Sequence, residues 1–100
     1  MVSRPTSRAA QAAARDIGQQ LLTWRKLLDL TADQVAQRAG LARGTVRRVE
    51  HGEPGVSFAA VLDVARSLGV LKAIVEATDP YNTDLGRARA DQALPRRVRP

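Results

Sequence analysis

The chain has 100 residues, of which 44% are hydrophobic, with one Phe, one Trp, one Tyr and no cysteine. That length holds one small core with tails, not two, and disulfides and thiolate metal sites are excluded. Sixteen Lys and Arg against ten Asp and Glu give a net charge of +6, which points to a negatively charged partner.

With so few aromatics the core has to be built from Leu, Val, Ala and Ile, a mix that favours helices. The apolar runs are too short to cross a bilayer. Met1 to Thr6, with Pro5, reads as a loose arm. The opening "MVSRPTSRAAQAAAR" lacks the apolar stretch of a secretory signal and shares the Arg, Ser and Ala bias of an organellar transit peptide. Arginine outnumbers lysine fourteen to two over the whole chain, however, so the bias is not peculiar to this segment.

From Ser7, "SRAAQAAARDIGQQLLTWRKLL" predicts one helix whose apolar side is Ile17, Leu21, Trp24, Leu27 and Leu28, at spacings of three and four. Gly18 weakens its middle, so the well-packed part is expected from Asp16 onward. Thr31 and Gln34 have the spacing of a capping box and open a short helix over about 32–39, with Val35, Ala36 and Ala39 inward. Gly40 ends it in a left-handed turn. The next helix spans about Arg43 to Glu50 and is stopped by "HGEPG". Ser57 caps a fourth, with Val56 stapled onto Val61 and an inner face of Phe58, Val61, Leu62, Ala65 and Leu68. Gly69 breaks it, and "VLKAIVEA" makes a fifth before Asp79-Pro80. Beyond Pro80 apolar content drops, predicting a basic, partly disordered or partner-bound tail, with a short helix from Asp84 to Ala93 and an extended "PRRVRP". The expected organisation is an arm or helix extension over 1–14, a helical domain over 15–79 and a tail over 80–100.

On a helical wheel, Arg43, Arg47, Gly44 and Arg48 fall in that order within one arc of roughly 140°, with Val46 and Val49 opposite. Two valines would anchor such a helix while three guanidinium groups flank a notch at Gly44. Guanidinium donors match guanine O6/N7 and phosphate oxygens. Taken alone, a basic face is more often merely hydrated.

The surrounding run changes that balance. "LTADQVAQRAGLARGTVRRVEHG" resembles the helix-turn-helix of the XRE family, the Cro and lambda-repressor type, in Ala36, Gly40, Leu41, Thr45, Val46, Val49, Glu50 and Gly52. The resemblance implies an all-α, five-helix lambda-repressor-like domain that binds double-stranded DNA, with residues 43–48 in the major groove. It implies base reading by Arg43, Gly44, Arg47 and Arg48, backbone contacts from Ala32, Arg38 and Thr45, and a structural ion pair between Arg25 and Glu50. Two positions depart from the family's habit: Ala32 stands where glutamine is frequent, and Ala42 where a serine cap is frequent. A lost cap and Gly44 each cost the second helix about 1 kcal/mol, so packing has to hold it.

His51, between Glu50 and Glu53, has no second histidine or cysteine with which to complete a usual metal site. No nucleophile elbow, phosphate-binding loop or carboxylate pair is present, so neither an enzyme nor a cofactor or small-molecule ligand is expected. A symmetric homodimer on a palindromic operator is expected, with Val70, Leu71, Ile74 and Val75 shared between the core and a dimer contact. The tail "DLGRARADQALPRRVRP" resembles the C-terminal end of HipB-like antitoxins, which implies a HipA-like kinase toxin as partner and repression of a shared operon. The alternatives are a free-standing XRE-type regulator, a toxin-neutralising interaction protein with secondary DNA binding, or a basic tail that only adds non-specific attraction. RNA binding is disfavoured because no aromatic platform for bases is present. The resemblance implies a bacterial cytoplasmic protein, on the nucleoid when DNA-bound.

Overall fold

A computed structural model describes residues 5–92 and 94, and every regular element among them is helical. The elements are α1 (Arg8–Leu27), α2 (Ala32–Ala39), α3 (Arg43–Glu50), α4 (Phe58–Ser67), α5 (Leu71–Ala77), a 3₁₀ turn (Pro80–Asn82) and α6 (Asp84–Ala88). The first five make the five-helix domain, and α2, α3 and α4 pack on one another around a core of Leu21, Val35, Ala36, Val46, Val49, Ala60, Val64, Ala65 and Leu68.

Helix α1 starts well before Asp16, because the Ser7 hydroxyl accepts from the Ala10 N–H at 3.1 Å and the following alanines favour helix. Residues 8–14 are thus one continuous helix with the residues that follow. Its end is closed without glycine: Asp29 takes the left-handed position, at φ 57°, and the Leu30 N–H donates to the Arg25 carbonyl at 3.0 Å.

The apolar side of α1 needs correction. Only Leu21 of the expected stripe is buried, while Ile17, Trp24, Leu27 and Leu28 are 44%, 45%, 70% and 45% exposed. The row that meets α3 is instead Gly18, Leu21 and Arg25. Gly18 does not weaken the helix at random; a Cβ there would lie 2.5 Å from the Val49 carbonyl oxygen and 2.7 Å from that of Glu50. Gly52, at φ 68°, faces the same contact, its missing Cβ 2.5 Å from Arg15 Cα. Two glycines thus let the backbone of α1 touch the end of α3. With α1 so seated, Ile17 and Trp24 are left at the edge.

A second correction concerns α4. Ser57 caps it as expected, accepting from the Ala60 N–H at 3.0 Å. The inward row is Ala60, Val64 and Leu68 with Ala65, and Phe58, expected inside, is 74% exposed in the first turn. In the tail, α6 stops at Ala88 rather than Ala93, and its Arg87 donates to Asp84 at 2.7 Å. The residues from Pro80 to Gln92 form a hook. Asn82 Nδ2 donates to the Glu76 carbonyl at 2.8 Å, Thr83 caps α6 through the Gly86 N–H at 3.0 Å, and Gly86 packs against the Pro80 carbonyl with no room for a Cβ. The expected extended "PRRVRP" lies outside the described residues.

Candidate nucleic-acid interface

The local sequence sets α2 and α3 at a fixed turn. The Thr31 hydroxyl accepts from the Gln34 N–H at 3.1 Å, and Gln34 Oε1 accepts from the Thr31 N–H at 2.8 Å, completing the capping box. At the other end Gly40 adopts φ 70°, and the Leu41 N–H closes the turn on the Ala36 carbonyl at 2.9 Å. Helix α3 then leaves from Ala42, which offers no side-chain cap.

Burial divides α3 into two sides. Val46 and Val49 are 0% and 2% exposed, whereas Arg43, Gly44, Arg47 and Arg48 all lie at the surface. A Cβ built on Gly44 would meet nothing within 4 Å, so the notch between the arginines is open. Two of the three guanidinium groups have carboxylates beside them. Arg43 Nε stands 3.4 Å from Asp33 Oδ1, and Arg48 Nε stands 4.0 Å from Glu53 Oε2, with Arg48 Nη2 also 3.5 Å from the Thr45 hydroxyl. Arg47 has no ion pair among the described residues. Exposed pairs of this kind contribute about 0–1 kcal/mol, so they orient the arginines without locking them.

The remaining sequence-derived positions separate. Thr45 is half-buried beneath Arg48, and Arg38 is exposed in the last turn of α2, its carbonyl accepting from Arg66 Nη2 at 3.3 Å. Ala32 is the exception: its side chain belongs to the buried core at 8% exposure, because the first turn of α2 leans on the body of the domain. Only its main chain could meet a ligand. Arg25 and Glu50 lie apart from the basic face. Arg25 donates from Nε to Glu50 Oε2 at 2.6 Å and from Nη2 to Oε1 at 3.4 Å, and its Nη1 reaches the Leu30 carbonyl at 3.0 Å. With the side chains 15% and 5% exposed, this fork ties the end of α3 to α1 and to the turn before α2. Asp33 and Glu53 were missed as neighbours of the basic face. The signal was there in part, since Glu53 follows the helix stop by one residue and Asp33 sits within the capping box.

His51 is exposed at the end of α3, and among the described residues no group of His, Cys, Asp and Glu could hold a metal ion. Nor is any helix among them long and apolar enough to cross a membrane. Residues 16–77 match the family model of a helix-turn-helix domain. No curated protein and no solved structure matches the chain.

Proposed function

The chain belongs to the helix-turn-helix domain family, and on that premise we propose that it is a sequence-specific transcriptional repressor bound as a homodimer to a palindromic operator. The single observation that carries the reading is the division of α3. Its valines are sealed in the core while Arg43, Arg47 and Arg48 surround the open backbone at Gly44. A major groove admits a helix of this width, and arginines there pair with guanine edges or phosphates. In this reading Arg43, Gly44 and Arg48 read bases and Arg47 divides between base and phosphate. Thr45, Arg38 and the main chain at Ala32 hold the backbone.

One such helix covers only a few base pairs, so two copies on a two-fold site supply the specificity. The resemblance of the tail "DLGRARADQALPRRVRP" to HipB-like antitoxins supports a more particular version, an antitoxin that represses its own operon and docks on a HipA-like kinase toxin through its C-terminal end. The experiment is selection of bound duplexes from a random library. Enrichment of inverted half-sites about one helical turn apart is expected. With about eight phosphates neutralised, log affinity should fall with log salt at a slope near −7. No enriched sequence together with a flat salt response would remove the DNA-binding reading.

A further inference from the structure

Two of the three α3 arginines carry a carboxylate on the same edge. Asp33 Oδ1 lies 3.4 Å from Arg43 Nε, and Glu53 Oε2 lies 4.0 Å from Arg48 Nε. The two acids are not equivalent. Asp33 is the second residue of α2, between Ala32, which is buried, and Gln34, which closes the capping box. Its short side chain therefore stands on a fixed turn. Arg43 opens α3 after a residue with no side-chain cap, and its side chain is long and rich in rotamers. In this pair the acid is the fixed member and the arginine is the one that is placed. Glu53 sits past the end of α3 on a longer side chain, so its hold on Arg48 is looser. An acid in the first turn of a helix also complements the helix dipole, but that effect concerns the stability of α2 alone.

We infer that Asp33 is a positioning residue for base reading, turning Arg43 away from phosphate and toward a guanine edge. A guanidinium has two donor edges, one formed by Nε and a neighbouring Nη, the other by the two Nη groups. With Asp33 beside Nε, the second edge is left for a ligand, and its paired donors match guanine O6 and N7. A phosphate at Arg43 would bring its charge close to the Asp33 carboxylate, whereas the guanine edge is neutral. The exposed pair is too weak to lock the arginine, but a bias between two partners needs no lock. Asp33 thus lowers affinity for any duplex and raises preference at one base pair. Arg47, with no acid paired to it among the described residues, is free to divide between base and phosphate.

This role rests on the DNA-binding reading, but the two fail differently. Asp33→Asn keeps the shape of the side chain and removes its charge. The full chain is titrated against salt on three duplexes: one selected from a random library, the same one changed at the base pair where Arg43→Ala relaxes preference, and a scrambled one. The parent should discriminate at that base pair by about 5- to 150-fold, the range of a good bidentate contact. Asp33→Asn should reduce the discrimination by about threefold or more and bind the scrambled duplex more tightly. Its salt slope should steepen by roughly 0.9 for each phosphate that a freed Arg43 takes. In an Arg43→Ala background most of that gain should disappear. Far-UV circular dichroism should stay unchanged, because Asp33 is exposed. Parent-like discrimination by Asp33→Asn overturns the role. So does weaker binding to every duplex with discrimination kept, the mark of a purely structural acid. A gain that persists without Arg43 overturns it too, since Asp33 would then act by simple repulsion of phosphate. A parent that binds no duplex ends the DNA-binding reading and this role with it, before any variant is made.

Discussion

Replacing Gly18 by alanine sets two effects of opposite sign against each other. In an isolated helix the change stabilises by up to about 1 kcal/mol. Here the new methyl would stand 2.5 Å from the Val49 carbonyl oxygen, 2.7 Å from that of Glu50 and 2.9 Å from the Gly52 nitrogen. All three are backbone atoms at the end of α3, so no rotamer change relieves the contact, and α1 has to move away. Overpacking costs about 1–3 kcal/mol, and a backbone contact belongs at the upper end of that range. The net effect is a loss of about 1–2 kcal/mol, which for a domain of this size lowers Tm by about 5–15 °C. Thermal melts by far-UV circular dichroism measure it directly. A Tm equal to or above that of the parent would refute the close approach of α1 and α3. Gly44→Ala is the matched control, because nothing lies within 4 Å of its Cβ position. It should raise stability by up to about 1 kcal/mol while weakening operator binding, since the methyl fills the notch between the arginines.

Arg43→Ala and Arg48→Ala should each cost about 1–3 kcal/mol at the operator and relax the preference at one base pair. Competition between half-site variants measures both effects, and parent-like binding by the two proteins would strike them from the base readers. Glu50→Ala leaves the half-buried Arg25 without its carboxylate partner and should cost about 3 kcal/mol in urea unfolding; a loss below 1 kcal/mol would mean that water replaces the carboxylate. Asp29→Gly relieves a left-handed residue, at φ 57°, and should gain about 0.5–1 kcal/mol by the same assay. A shift to lower urea would show that the Asp29 side chain contributes more than its backbone costs.

Local signals were legible wherever one residue dictates one geometry. Thr31 with Gln34, Gly40 and Ser57 announce caps and a turn through their own hydrogen-bonding or backbone chemistry, and those elements stand where the sequence puts them. The valines of α3 were equally legible, because only Val46 and Val49 are apolar in an otherwise polar helix. The apolar side of α1 was not. Ile17, Trp24 and Leu28 have core-like spacing, but spacing identifies a face without saying what covers it, and in this fold α1 meets α3 through Gly18, Leu21 and Arg25. A glycine in mid-helix reads as a weakness from propensity alone; its use depends on a partner backbone more than thirty residues later, at Glu50 and Gly52. Phe58 misled for a related reason. As the largest apolar residue of α4 it looked like core, but its place in the first turn points it away from the Ala60–Val64–Leu68 row.

The order of α3 comes from outside it, and unevenly. Eight residues are too few for a stable isolated helix, Ala42 gives no side-chain cap, and Gly44 and two valines lower its propensity further. Buried Val46, the fourth of its eight residues, and Val49 hold its middle and second turn, and the Arg25–Glu50 fork and the glycine contact with α1 fix its end. Ahead of Val46, Arg43 and Gly44 are exposed and the ion pair there is the one between Arg43 and Asp33 at 3.4 Å, and exchanging that carboxylate for another acceptor costs at most about 1 kcal/mol. Substitutions at the two ends should therefore act on different quantities. Those at the anchor, Gly18 and Glu50, change stability first and reach DNA binding by tilting the helix. Those at Arg43 change binding with little effect on Tm. Parallel losses of Tm and affinity across both sets would mean that the helix melts as one unit, contrary to an anchored end and an adaptable one.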